Sequence, residues 1–190
     1  MQRAVAALAL LLAAPLAAAS LDVQVTTAGG APVSDAVVYA IPARPIPAGH
    51  KVAVMDQKDR MFVPHVLPIQ TGTWVEFPNS DNIRHQVYSL SPARRFQLPL
   101  YTGKPAYPLQ FSKAGAVLLG CNIHDQMSAY IVVVDTPFFA KTDAGRASLQ
   151  DVEPGPYTLH VWYPDMRTEP APQSVTVGAG ANAAVTFVTK

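Results

Sequence analysis

Gly115-Ala116-Val117-Leu118-Leu119-Gly120-Cys121-Asn122-Ile123-His124-Asp125-Gln126-Met127-Ser128-Ala129-Tyr130-Ile131-Val132-Val133-Val134 is the stretch that decides the fold. Two runs of apolar, β-branched-rich residues flank a short polar loop. Runs of that length, bounded by turn formers, read as strands rather than helices. Ala116–Leu119 and Tyr130–Val134 are nearly continuous in apolar residues, which predicts strands buried on both faces. The loop between them carries a thiol, an imidazole and a thioether within seven residues.

Working outward, the same short-strand grammar recurs. Leu21, Val23 and Val25 alternate with Asp22, Gln24 and Thr26. Val75 and Phe77 share a face opposite Trp74 and Glu76. Tyr157, Leu159, Val161 and Tyr163 alternate with Thr158, His160 and Trp162, and Val185 with Phe187 closes the chain in the same way. Eighteen prolines are spread throughout and interrupt every candidate helix of useful length. Ala28-Gly29-Gly30, Thr71-Gly72, Pro78-Asn79-Ser80-Asp81, Lys113-Ala114-Gly115, Asp143-Ala144-Gly145 and Pro154-Gly155-Pro156 are turn signals. Short strands at regular spacing predict an all-β protein of sandwich type.

The chain starts Met1-Gln2-Arg3, then runs uncharged from Ala4 to Ala14 and on to Ala17-Ala18-Ala19-Ser20. A basic start, a short apolar run and an A-x-A site predict a signal peptide over residues 1–19, cleaved after Ala19. Pro15 and the short run argue against a membrane span. No other stretch is apolar enough to cross a bilayer. The expected location is the periplasm of a Gram-negative host. Arg3 is the leader's one charged residue; without it the 14 basic and 13 acidic residues balance. A chain with no basic field is not expected to bind nucleic acid.

Cys121 is the one cysteine, so it has no intramolecular disulfide partner. In an oxidising compartment it pairs between chains, stays a free thiol, lies inert in the core, or is held by a metal. His124 and Met127 beside it favour the metal. Thiolate and thioether ligands with imidazoles suit copper, and two histidines, one thiolate and a weak axial methionine make a blue-copper site. Zinc accepts one cysteine and two histidines but gains little from methionine. A nucleophile–base pair of Cys121 and His124 lacks any visible oxyanion framework.

The second histidine is to be found among His50, His65 and His85. His85 follows the strand Gly72–Phe77 and the turn formers Pro78–Asn82, which would put its ring at one rim of a sandwich. His65 reads as a strand residue and His50 as part of a Pro/Gly-rich loop. His160 reads as pointing outward from an apolar face.

Residues from about 55 to 134 resemble a cupredoxin of the small plastocyanin and amicyanin group. The resemblance is carried by Phe62, Pro64, Gly72, Val75, Phe77, Asn79, Asp81, His85, Cys121, His124 and Met127. The C-x-x-H-x-x-M loop has amicyanin's short spacing. The whole chain also resembles proteins labelled methylamine utilization proteins. The resemblance implies a Greek-key sandwich holding one copper ion, Cu(II)/Cu(I). The ligands would be His85, Cys121, His124 and an axial Met127. It implies an electron carrier rather than an enzyme, meeting a dehydrogenase, a cytochrome c or an oxidase transiently. The oligomeric state is left open. The family often carries asparagine or serine after the upstream histidine, where it buttresses the cysteine; this chain has Gln86. Asn79 and Asn122 are alternative buttresses. Electrons would leave through His124, with Ile123 and Pro99-Leu100 as an apolar patch. Arg84, Arg94 and Arg95 either rim that patch or are solvated charges.

A second resemblance lies outside this region. Thr142, Asp143, Gly145, Pro154, Gly155, Tyr157 and Leu159 are similar to carboxypeptidase regulatory-like sandwiches, whose usual opening resembles Gly30–Val38 here. A stretch the size of a small domain separates that opening from Thr142. The expected organisation is therefore a copper domain over 43–135, inserted into a sandwich made by 20–42 and 136–190. The competing arrangement is two sequential domains.

Overall fold

The computed structural model describes residues 19–47, 49–105, 107–164, 166–180 and 182–189. The signal peptide expected over 1–19 lies outside them except for Ala19, the first residue of a strand. The described residues are all-β and include no helix. β1 (Ala19–Thr27) and β2 (Val37–Pro42) come first. Then follow β3 (Val52–Val54), β4 (Asp56–Lys58), β5 (Met61–Val63), β6 (Val66–Gln70), β7 (Trp74–Glu76), β8 (Tyr88–Ser89), β9 (Phe96–Gln97), β10 (Leu109–Gln110), β11 (Gly115–Gly120) and β12 (Ser128–Val134). β13 (Phe139–Lys141), β14 (Arg146–Val152), β15 (Gly155–Trp162), β16 (Gln173–Val177) and β17 (Ala183–Thr189) complete the chain.

The two ends of the chain build one sandwich. One sheet runs β14-β1-β17 and the other β13-β2-β15-β16. β1 lies parallel to β17, with Val23 opposite Val185. A parallel pair needs a crossover connection, and here nearly the whole chain forms it. Val38 pairs with Ala140 on one side and Val161 on the other. The alternation in β1 works as expected: Leu21, Val23 and Val25 are buried while Asp22 and Gln24 face out. They meet Leu149, Leu159, Val161 and Phe187 in one core.

Two buried threonines tie β2 and its approach to the returning chain. Thr142 Oγ1 accepts from the Ala36 amide and donates to the Val33 carbonyl. Thr136 Oγ1 donates to the Ala40 carbonyl and accepts from the Phe138 amide. Gly145 turns at φ 75°, and a Cβ there would stand 2.7 Å from the Val25 carbonyl oxygen, so the turn requires glycine. Tyr157 donates to the Glu153 carbonyl at 2.8 Å, pinning the turn before its own strand.

Residues between these two groups build the other sandwich. Its sheets run β10-β7-β3 and β6-β12-β11-β8-β9, and the β4–β5 hairpin stands beside them. Phe77, Phe111, Leu119, Ile131, Val75 and Val117 fill its core. β11 and β12 are antiparallel neighbours, Gly120 opposite Ser128.

β12 is covered on both faces, as its sequence predicts. Ile131 and Val133 point into the central core, whereas Val132 and Val134 pack with Val66 against Val37 of the other sandwich. β11 corrects the expectation of two covered faces: Leu118 is 47% exposed. The terminal sandwich covers β6 and β12 but stops short of β11. Tyr130 packs on Trp162 across the junction, ring centroids 5.0 Å apart.

His65 is a bend residue, not a strand residue. Its Nδ1 lies 3.2 Å from Asp35 Oδ2, and Lys141 Nζ lies 2.6 Å from the other oxygen of that carboxylate. Burial raises the Asp35 pKa, but Lys141 and His65 outweigh it and hold the carboxyl below the usual range. His160 is less free than its alternation suggested. It stacks on Tyr39 at 5.1 Å, and its Nδ1 lies 3.1 Å from Glu169.

Candidate metal centre

The 121–127 loop is set by the strands around it. β11 ends at Gly120 and β12 begins at Ser128, and this pair closes the loop at its base. Inside it the Met127 amide donates to the His124 carbonyl at 2.9 Å. That turn brings the end of the loop back over its middle. Cys121 and Met127 are buried in the same core cluster, and His124 is partly covered.

His85 arrives from the other side of the same end. It closes the loop after β7, and its backbone amide and carbonyl both pair with Tyr101, at 3.1 and 3.0 Å. Its side chain is fully buried. The result is one cluster: the ligand atoms of His85, Cys121 and His124 lie within 4.8 Å of one another. The two imidazole rings are 5.0 Å apart between centroids. His50, His65 and His160 are not part of it.

Nδ1 of His85 and Nδ1 of His124 are both buried and have no hydrogen-bond partner. An unsatisfied buried polar atom costs about 1–3 kcal/mol. Two imidazoles with such atoms, clustered with a buried thiol, suit a soft or borderline metal ion, which would accept both lone pairs and the thiolate. Met127 adds a polarisable sulfur from the same core. The residues present therefore fit copper.

The loop carrying His85 is stapled by three side chains, Asn79, Gln57 and Tyr101. Asn79 Nδ2 donates to the carbonyls of Ile83 and Tyr101, at 2.9 and 2.7 Å. Its Oδ1 accepts from the Asp81 amide. Gln57, fully buried, donates through Nε2 to Pro78 O and to the Tyr101 hydroxyl, at 3.1 and 2.6 Å. Tyr101 in turn donates to the Phe77 carbonyl at 2.6 Å. Burial raises the Tyr101 pKa to about 12 against a partial offset from Gln57.

In the sequence Asp81 is a turn former within a family pattern. The structure gives it a direct contact: Oδ2 lies 2.6 Å from His85 Nε2. The Arg60 amide is the largest influence holding this carboxyl below the usual range, ahead of His85 and the Asp59 amide. The clue was present in the four-residue spacing from Asp81 to His85. Gln57 and Tyr101 left no such clue, because they lie far from His85 in sequence.

Gln86, the departure from the family pattern, is joined to Asn122. Asn122 Nδ2 donates to Gln86 Oε1, and Gln86 Nε2 donates to the Leu98 carbonyl at 2.9 Å. The residue after His85 therefore holds the residue after Cys121. Asn79 buttresses the His85 loop instead. Gly120 lets the Tyr88 ring approach closely: a Cβ there would stand 2.7 Å from it, and the ring would have to move.

Outside the cluster, Ile123 is 49% exposed and Leu100 is 44% exposed. A groove at the Cys121 loop is lined by Tyr88, Leu90, Leu118, Cys121, Asn122 and Met127. Arg84 and Arg95 are exposed, whereas Arg94 is partly buried.

No family model matches the chain, and no curated protein matches it. Among solved structures it is similar in part to a Cu-containing nitrite reductase (NirK) from Thermus scotoductus SA-01. The identity is 27% over 50% of this chain, with a TM-score of 0.42, and the chain spans 26% of that protein's length. A purple cupredoxin from Nitrosopumilus maritimus matches at 19% identity over 43% of this chain and 99% of its own, TM-score 0.38. A reduced amicyanin variant matches at 22% over 53% of this chain and 99% of its own, TM-score 0.40. These likenesses are partial, and the reading of the centre rests on its own residues.

Proposed function

We propose that this protein is a cupredoxin-like, single-copper electron carrier, with His85, Cys121, His124 and Met127 as ligands. The observation that carries this reading is the cluster of His85, Cys121 and His124, whose ligand atoms lie within 4.8 Å of one another, with Nδ1 of each histidine buried and unpartnered. Bound copper would supply a one-electron Cu(II)/Cu(I) couple, which neither imidazole nor thiol provides alone.

The chain's own residues make that couple usable. Cys121 and Met127 sit in a packed core, which resists rearrangement between oxidation states. Asn79, Gln57 and Tyr101 fix the His85 loop, and Gln86 with Asn122 ties the Cys121 loop to the segment directly after His85. His124 is the less buried histidine, so it is the side chain through which a partner would exchange electrons. Ile123 and Leu100 offer apolar surface for a brief encounter.

On this reading the leader exports the protein to the periplasm, and the partners are an amine or other dehydrogenase and a cytochrome c or oxidase. The copper unit over 43–135 is an insertion in a regulatory-like sandwich, which the pairing of β1 and β2 with strands beyond residue 135 supports.

Visible and electron-paramagnetic spectra of the copper-loaded mature protein test the reading. An intense thiolate-to-copper band, absent in Cys121→Ser, is expected, followed by oxidation by a c-type cytochrome in stopped flow. Copper bound without that band would replace the carrier by a storage or delivery protein. No copper binding would leave a structural module.

A further inference from the structure

The two histidines of the centre are not held alike. His124 makes no side-chain hydrogen bond among the described residues, whereas His85 has Asp81 at 2.6 Å from Nε2. The carboxylate is itself held by a turn 22 residues earlier, between β4 and β5. The Asp59 amide donates to Asp81 Oδ1 at 2.7 Å and the Arg60 amide to Oδ2 at 3.0 Å. Asp59 and Arg60 stand at φ 55° and 58°, both left-handed, though neither is glycine. Two-residue hairpin turns of this kind usually carry Asn-Gly or Asp-Gly, and non-glycine residues hold such conformations where the surroundings over-determine them. In this turn the conformation aims two amides at one carboxylate.

A carboxylate only accepts hydrogen bonds. His85 must therefore present a proton at Nε2, which leaves the lone pair on Nδ1, an atom that is buried and has no other partner. We propose that Asp81, clamped by the Asp59–Arg60 turn, is a positioning residue that locks the His85 tautomer and ring and favours Cu(II) over Cu(I). The inference rests on the copper reading of this centre. Partners of this type raise the basicity of a ligating histidine, and a fixed negative charge stabilises the more positive ion. His85 is thus the anchored ligand, and His124 is the one left free to face a partner.

Three readouts test this. In the apoprotein, nitrogen-15 NMR of the imidazoles should show His85 protonated at Nε2, and Asp81→Ala should give a mixture of tautomers. This measurement needs no copper, so it stands even if the copper reading falls. In copper-loaded protein, Asp81→Asn should weaken copper binding by about 10–100-fold in competition with a chelator. The same variant should shift the redox equilibrium with a mediator toward Cu(I) by about tenfold, equivalent to about 59 mV for one electron. Arg60→Pro, whose ring fixes φ at about −65° and so breaks the left-handed turn with its amide contacts, should move the equilibrium the same way by no more than Asp81→Asn does. Lys113→Ala, which removes an exposed cation at the end of β11 away from Cys121, should not move it. Thermal melts of each apoprotein separate these effects from unfolding.

A wild-type His85 protonated at Nδ1, or an Asp81→Asn protein with unchanged affinity and equilibrium, overturns the proposal. An unchanged Arg60→Pro protein overturns the part played by the turn. Absence of the thiolate band in wild type with the expected tautomer overturns the copper reading and leaves the clamp.

Discussion

The two sandwiches of this chain are built from the same kind of strand and bury different things. The terminal one has long strands, among them β1 and β15, and a core of aliphatic and aromatic side chains. Its buried polar side chains are threonines that stitch neighbouring backbones. The central one has β8, β9 and β10 of two residues each. It buries Gln57, Asn79, His85 and Gln86 in the loops at one end. Burying polar groups is unfavourable unless they are bonded, and nearly all of these are. The difference teaches where function sits: the central sandwich gives up part of its apolar burial to hold loops in register, and the terminal one does not.

That contrast can be broken most forcefully in the terminal core. Leu159→Ala should lower stability by about 2–5 kcal/mol, measured by denaturant unfolding. The copper spectrum should be unchanged below the transition, because no ligand loop touches that core. A spectrum that changes in native conditions would show that the two units are not separable in this way.

A paired deletion comes next. Gln57→Ala strips donors from Pro78 O and the Tyr101 hydroxyl, and Thr142→Val strips an acceptor from the Ala36 amide. Each should cost about 1–3 kcal/mol. Only the first should also alter the copper spectrum, since Tyr101 pairs with the His85 backbone. Equal spectral effects would erase the distinction between the units.

Met127→Leu is smaller in stability and larger in function. Leucine nearly conserves the volume, so the apoprotein should lose under about 1.5 kcal/mol. The copper-loaded protein should nonetheless change its visible spectrum and potential. An unchanged spectrum would mean that Met127 only fills the core.

The least disturbing test at neutral pH is alkaline titration, which samples one tyrosine from each unit. Tyr39 and Tyr101 are both raised from 10.0 to about 12, chiefly by burial. A raised phenol favours the folded state fully below the unfolded value, and this contribution is lost as pH climbs through the folded one. Stability of both units should therefore fall between pH 10 and 12. Phenolate absorbance of these two residues should appear late, near 12 or with unfolding, and Tyr101→Phe should remove the late step from the central unit alone.

Much of the architecture was legible in particular residues. The alternation of Leu21, Val23 and Val25, and of Tyr157, Leu159 and Val161, put the right faces inward. Leu118 shows the limit. Its neighbours suggest a strand covered twice, yet coverage depends on how far the terminal sandwich extends across the sheet, and that is not a local property. The same limit applies to the centre. Cys121, His124 and Met127 declare themselves by spacing, because one loop between two paired strands must gather them. The turn that clamps Asp81, and the Gln57–Tyr101 support, join residues brought together only by folding.

Sequence alone therefore determined the donor chemistry and the strand grammar: a lone cysteine, an imidazole and a thioether in a loop between apolar strands, in an all-β chain. His85 is already singled out by its place after a strand and a run of turn formers; only the tertiary structure decided which of its nitrogens is free and what holds the other. His50, His65 and His85 carry the same ring; what separates them is that His85 pairs with Tyr101 at the end of the sheet where β11 delivers Cys121. A carboxylate pinned by a distant turn then takes its Nε2, so Nδ1 is the nitrogen left buried and unpartnered in the cluster with Cys121 and His124. Spacing within one loop sets what is near in sequence, whereas long-range strand pairing and turn geometry set what converges in space.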